Sequence, residues 1–357
     1  MEEYRGEKGM KSFALIGNRT IKTGIAVLLT AWLCELLHWP PVFAVITAIV
    51  TVEPTVADSI KKGIVRFPAS AIGSFYAVLF ISLFGNSPLT YTLAAVLTIA
   101  TCFRLKLFAG LLVATLTSVA MVEVIHDNFV VAFFIRLGTT TIGLAVSTLV
   151  NMFILPPDYR DDISHYFKKT SAAMGKTLTN LFRQMLENLA ARNQSEERNM
   201  LENIDKHIEQ LDTFIRFQQE ENKYHPLLKQ KDFSYSKAQG MVQCLRRIRD
   251  HLDNLIETPV STLSWTAEEK KIIIQAAEEL GNILLHPDQY EEEHFQETQQ
   301  ELMELFWEDN EELTRDNEIH PTKFPPELIV LYELISIYGL VERLILLKKK
   351  KEYKPKW

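Results

Sequence analysis

Cysteine is scarce: Cys34, Cys102 and Cys244 are the three in 357 residues, odd in number, scattered, and without a CxxC pair. That excludes a disulfide framework and leaves no zinc or redox motif to read. An excess of positive charge is missing too, with 38 Lys and Arg against 45 Asp and Glu and a net charge of -7. Gripping a phosphate backbone needs clustered bases, so nucleic acid is not an expected partner. Charge of either sign is sparse in one half. Residues 13–155 hold thirteen charged side chains, eight basic and five acidic, whereas residues 156–357 hold 27 basic and 37 acidic. One half is therefore lipid-soluble and slightly cationic, and the other is a water-soluble acidic domain. A single soluble domain is ruled out.

Catalytic motifs are lacking as well. Gly175-Lys176-Thr177 ends like a phosphate loop, but the glycine required five residues earlier is Thr170, and a helical stripe runs through the segment. His207, His225, His251, His286 and His294 have no metal-ligand spacing, and each reads as a surface or helix-packing residue. No nucleophile motif appears. The expectation is a chain that is not an enzyme and takes no cofactor, metal or nucleotide.

Six long apolar runs are present, at residues 21–38, 41–56, 65–84, 89–103, 107–125 and 129–155. Each is a helix candidate on hydropathy. The first follows Arg19 and Lys22 and has no small-residue cleavage site after it, so it reads as a retained span and not a signal peptide. Alternate connections carry the bases: Arg5, Lys8, Lys11, Arg19 and Lys22, then Lys61, Lys62 and Arg66, then Arg104 and Lys106, then Arg160, Lys168 and Lys169. The intervening ones, around Trp39-Pro40-Pro41, Gly85-Asn86-Ser87-Pro88 and His126-Asp127-Asn128, carry no Lys or Arg. That alternation predicts six crossings with both termini in the cytoplasm. Runs two and four are short for a core of about 30 Å, as is tolerated where protein or a water-filled cavity surrounds a span.

Charges inside spans are the candidate functional residues, because a buried charge usually faces a pathway or a partner. Glu53 ends run two ahead of Pro54 and Thr55, Arg66 opens run three, Glu123 lies near the outer end of run five, and Arg136 sits about two turns inside run six. Arg136, with Thr139 and Thr140 one turn on, is the candidate substrate site, since a guanidinium and hydroxyls suit a carboxylate. Arg66 is a second substrate candidate, and Glu53 and Glu123 are candidates for coupling or gating. The alternative is that Glu53 with Arg66, or Glu123 with Arg136, forms a structural ion pair. Small residues recur four apart as Ala69-Gly73-Ala77, Gly110-Ala114-Ser118 and Thr139-Gly143-Ser147, a spacing that favours close helix packing.

After Pro156-Pro157 the apolar residues adopt a 3,4 spacing. The stripes are Met174, Leu178, Leu181, Met185 and Leu189; Leu201, Ile204, Ile208, Leu211 and Ile215; Met241, Leu245, Ile248, Leu252 and Leu255; and Ile273, Ala276, Leu280 and Ile283. With breaks at Pro226, Pro259 and Pro287 and a capping box at Thr266 and Glu269, they predict an antiparallel helical bundle. The run at 328–347 contains Glu333, Glu342 and Arg343 and reads as one more bundle helix. The basic tail after it either touches anionic headgroups or is solvated. The predicted fold is thus all-α: a cytoplasmic N-terminus at 1–20, a six-span domain at 21–155, a cytoplasmic bundle at 156–347 and a basic tail at 348–357.

Arg19-Thr20-Ile21-Lys22-Thr23, then Phe43 to Val50 running into Glu53-Pro54-Thr55-Val56, then Asp58-Ser59-Ile60-Lys61-Lys62-Gly63 and Arg66, resemble the aromatic acid exporter family, relatives of the fusaric acid resistance proteins. The likeness is most specific over the six-span half, and extends to the helical half in length and position. It implies efflux of aromatic carboxylates. One departure is that Phe67-Pro68 stands where the family commonly has Gly-Thr after this Arg. Larger relatives carry two membrane halves, so a single copy implies a homo-oligomer. The expected function is export of small organic anions from the cell membrane. A gated anion channel on the same scaffold, or a membrane-anchored regulator whose bundle recruits a partner, are the alternatives.

Overall fold

The computed structural model describes residues 17–124, 128–154, 156–187, 192–224, 234–259, 265–315 and 325–349. The bases at Arg5, Lys8 and Lys11, the His126-Asp127 loop, Leu155, Leu189, His225, Pro226 and the tail from residue 350 lie outside them. Twelve α-helices and one short 3-10 turn, and no strand, are found among the described residues. The chain divides into two compact units, residues 1–158 with 220–229, and residues 159–219 with 230–357.

The first unit holds α1 (Asn18–Leu36), α2 (Val42–Thr51), α3 (Val56–Phe84), α4 (Pro88–Arg104), α5 (Phe108–Val124) and α6 (Phe129–Phe153). Two boundaries differ from the apolar runs. Helix α2 stops at Thr51, about 15 Å of helix at 1.5 Å per residue, because Val52 is extended (φ -71°, ψ 93°) and Pro54 disfavours helix in the residue before it. Helix α3 then starts at Val56, nine residues ahead of run three, with Thr55 as N-cap accepting from the Asp58 amide at 3.0 Å. Asp58, Lys61 and Lys62 hide that first stretch from hydropathy, yet helix formation needs backbone bonds and not apolarity. By length and composition α3 and α6 can cross a membrane, while α2, α4 and α5 are shorter apolar helices.

Burial in this unit is inverted relative to a water-soluble protein. Thr30, Thr47, Thr51, Ser59, Ser70, Ser74, Thr98, Ser118, Arg136, Ser147 and Asn151 are buried, whereas Leu28, Trp32, Leu36, Phe75, Leu83, Phe103, Leu112, Phe134 and Phe153 are exposed. Exposing that much apolar surface is costly in water and free in hydrocarbon, so the pattern fits a lipid-embedded unit. The small-residue rows let the helices meet. A Cβ on Gly110 would come within 2.5 Å of the Ala69 Cβ, and one on Gly73 would collide with the Ala114 carbonyl, so α3 and α5 touch backbone to backbone. Gly143 of α6 serves α2 in the same way, with the Ala44 carbonyl 2.5 Å from its would-be Cβ.

The second unit holds α7 (Arg160–Leu186), most of α8 (Gln194–Tyr224), α9 (Tyr235–Glu257), α10 (Ala267–Leu285), α11 (Glu292–Arg315) and α12 (Pro326–Lys349). The predicted stripes supply its core: Met174, Leu178, Leu181, Met185, Leu201, Ile204, Leu245, Leu252, Ile273 and Leu280 all join one buried cluster, with Met241 packed at its edge. Helix α7 packs on α10, and α12 packs on α9 and α11. The run at 328–347 is therefore a bundle helix, contributing Val330, Leu334, Ile337 and Val341 to that core. Its Glu333 is buried but engaged by Asn254 at 3.0 Å and by His251. The capping box is present, Thr266 donating its amide to Glu269 at 2.6 Å and accepting from the Glu269 amide at 3.3 Å. Gly175, the end of the phosphate-loop lookalike, instead lets α7 approach the Gly281 carbonyl of α10.

A candidate anion site around Arg136

Helix α6 brings Arg136 into the interior of the first unit, 2% exposed. The neighbouring helices give it two neutral companions. Its Nη2 donates to the Thr117 hydroxyl of α5 at 2.5 Å, and its guanidinium lies 4.6 Å from the centroid of the Phe43 ring of α2. Nε and Nη1 are buried without a hydrogen-bond partner, and among the described residues no carboxylate lies within 4 Å of the group. A cation held in this way is costly, since neither a hydroxyl nor an aromatic face balances a full charge. The N–H donors of Nε and Nη1 remain available on either side of the Thr117-bound Nη2, each able to make a charge-assisted bond to a carboxylate oxygen.

Thr139 and Thr140 sit one turn on, but both hydroxyls donate back to the Arg136 carbonyl, at 2.9 and 2.8 Å. With that hydrogen committed, Thr140 Oγ1 accepts from Ser70 Oγ of α3 at 3.2 Å. Neither threonine presents a hydroxyl hydrogen to a ligand in this arrangement. Glu123 is not the partner of Arg136; it is exposed and accepts from the Tyr91 hydroxyl.

Glu53 and Arg66 form a separate group at the α2–α3 break. The Glu53 carboxylate accepts from Arg66 Nη2 at 2.7 Å and from Lys62 Nζ at 2.8 Å, and Arg66 Nε donates to the Ala109 carbonyl at 3.2 Å. Arg66 is thus neutralised by the chain itself, as the ion-pair reading expected of these two residues. Lys22, which the sequence put in a basic loop, is instead inside α1 and 5% exposed, donating to Asn151 Oδ1 of α6 at 3.1 Å. Asn151 in turn donates to the Glu53 carbonyl at 3.1 Å and to Ser59 Oγ at 3.0 Å. Sequence reasoning missed Phe43, Thr117 and Asn151. Asn151 had one local signal, being the one amide side chain of α6. Phe43 and Thr117 had none, because an aromatic and a hydroxyl are ordinary in spans.

The first unit is thus a six-helix unit of inverted burial around a cation that no carboxylate of the described residues neutralises. Residues 14–154, nearly all of that unit, match the family described as aromatic acid exporter family member 1. Along almost its whole length the chain is similar to UPF0421 proteins. It is 48% identical to one from Oceanobacillus iheyensis, over 93% of this chain and 96% of the relative. It is 42% identical to one from Bacillus cereus, over 96% of each, and 35% identical to one from Staphylococcus aureus, over 92% of this chain and 96% of the relative. The chain belongs to this UPF0421 family, and its six-helix unit carries the match to an exporter family of the membrane.

Proposed function

We propose that the protein exports small organic anions, aromatic carboxylic acids foremost, across the cell membrane, with Arg136 holding the carboxylate. The observation that carries this reading is the buried guanidinium whose Nε and Nη1 have no hydrogen-bond partner, with no protein carboxylate beside it among the described residues. An arriving carboxylate supplies the missing counter-charge, and the Phe43 ring packs against the guanidinium. Lys22, Asn151 and the Glu53–Arg66 pair then form the inner end of the route, with all six helices crossing and both termini in the cytoplasm. A membrane potential that is negative inside favours outward movement of a monoanion by about 2.3 kcal/mol per 100 mV, so export needs no nucleotide and no cofactor.

Thermal unfolding of the detergent-purified protein against paired ligands tests the binding step. Aromatic carboxylates should raise the Tm and their uncharged amides should not, with the shift lost in Arg136→Ala. Equal stabilisation by acid and amide would remove Arg136 from the binding role.

A further inference from the structure

Side chains from far along the chain close the break between α2 and α3. The last turn of α8, from Glu220 onward, groups with the first compact unit. There Glu221 is 2% exposed, and its Oε1 accepts from the Val56 amide at 2.7 Å, across 165 residues of sequence. Glu220 accepts from the Thr55 hydroxyl at 3.0 Å and from Lys61 Nζ at 3.4 Å. Val56 is the first residue of α3, where a helix leaves amides without internal partners and favours a negative charge. The same break holds Thr51 and Ser59, joined to Asn151 of α6; all three are fully buried and linked by the Ser59 hydroxyl, which donates to the Thr51 carbonyl at 3.1 Å and accepts from Asn151, and Lys22, whose charge acts on Glu221, bonds Asn151.

We propose that the Glu220–Glu221 turn is a releasable latch on the inner end of the α2–α3 break: docked, it shields Thr51, Ser59 and Asn151 from the cytoplasm, and rising cytoplasmic pH favours its release. The proposal rests on the export reading only in treating this break as the inner mouth.

Among the described residues, Lys22 of α1 and Glu220 act on Glu221 by charge and Lys61 of α3 pairs with Glu220, while Asp58 lies in the first turn of α3 and Glu53 of the break is paired with Lys62 and Arg66. Burial dominates among their effects on Glu221 and pushes its carboxyl up to about 7, against the opposing pull of the Val56 amide and Lys22. Released into water, the group returns toward its ordinary value of 4.5. Between those two values the docked turn holds one proton more than the released turn. Docking therefore weakens by about tenfold per pH unit as pH rises through that window, and changes no further above about 7.

The test uses Thr51→Cys in the full-length chain, with Cys34, Cys102 and Cys244 replaced by alanine, in inside-out membrane vesicles. Labelling by an impermeant maleimide is normalised to labelling of an exposed Ser195→Cys at each pH, which removes the thiolate's own pH dependence. The normalised rate should rise between pH 6 and 7 and level off above. Glu221→Gln keeps an oxygen for the Val56 amide but carries no proton switch, so it should label slowly at every pH. Glu221→Ala should label fast at every pH. A pH-independent rate in the parent, or Glu221→Gln labelling as fast as Glu221→Ala, would overturn the latch. None of these rates depends on transport, so a failed export reading would leave them unchanged.

Discussion

Arg136 concentrates what is unusual in this chain. Replacing it by lysine keeps the charge but loses the fixed planar donors at Nε and Nη1, so anion efflux should fall by about 10- to 100-fold, the worth of one charge-assisted contact. Arg136→Ala should leave efflux at background, with insertion and assembly intact because among the described residues the cation has no carboxylate partner to abandon. Glu123→Gln should leave efflux unchanged, since Glu123 bonds Tyr91 at the surface; a large loss in initial-rate measurements would revive its pairing with Arg136. Arg136 was legible in the sequence because a lone cation deep in an apolar run is conspicuous by itself. Its partners were not, since Phe43 and Thr117 reach it from other helices and the contact is tertiary. Lys22 was misplaced for the same reason: a lysine at the start of a span looks like an interfacial base until its partner Asn151, 129 residues away, is seen to bury it.

Helices carry the next level of explanation. The bundle stripes were readable because a water-exposed helix must alternate apolar and polar faces, which fixes both the period and the buried side. The α2–α3 boundary was less readable, because inside a membrane unit hydropathy marks lipid contact and not helix ends, and Asp58, Lys61 and Lys62 lie within helix. Close approach of α3 to α5 makes a firm prediction. Gly73→Leu drives a side chain into the Ala114 carbonyl and should destabilise the purified protein by about 1–3 kcal/mol or more, seen as a lower Tm. Gly24→Ala on α1, where an added Cβ meets no heavy atom within 4 Å, should leave the Tm unchanged or slightly raised. A Tm for Gly73→Leu equal to that of Gly24→Ala would show that the small-residue row does not set the contact. In the second unit, Thr266→Ala removes the side-chain half of the capping box, leaving its amide bonded to Glu269, and should cost about 1 kcal/mol.

For the whole molecule, two units with different burial patterns make one protein: one hides its hydroxyls and shows many of its leucines, and the other gathers its leucines into a buried core. That division was the most legible feature of the sequence, because charge density alone separates them. Six crossings with both termini inside predict that cysteines at Ser87 and Asn128 react with an impermeant reagent from outside intact cells, and that one at Ser195 does not. Assembly of the single six-helix copy with itself predicts a mass of at least two 41.0 kDa chains in nanodiscs by mass photometry. The decisive test is efflux of an aromatic carboxylate from liposomes holding the purified protein, read at several imposed potentials for the parent and for Arg136→Ala. Saturable efflux that grows as the donor side is made more negative, and that vanishes in Arg136→Ala while the variant remains folded and inserted, is the predicted result. Potential-driven efflux at the parent rate from folded Arg136→Ala would contradict it.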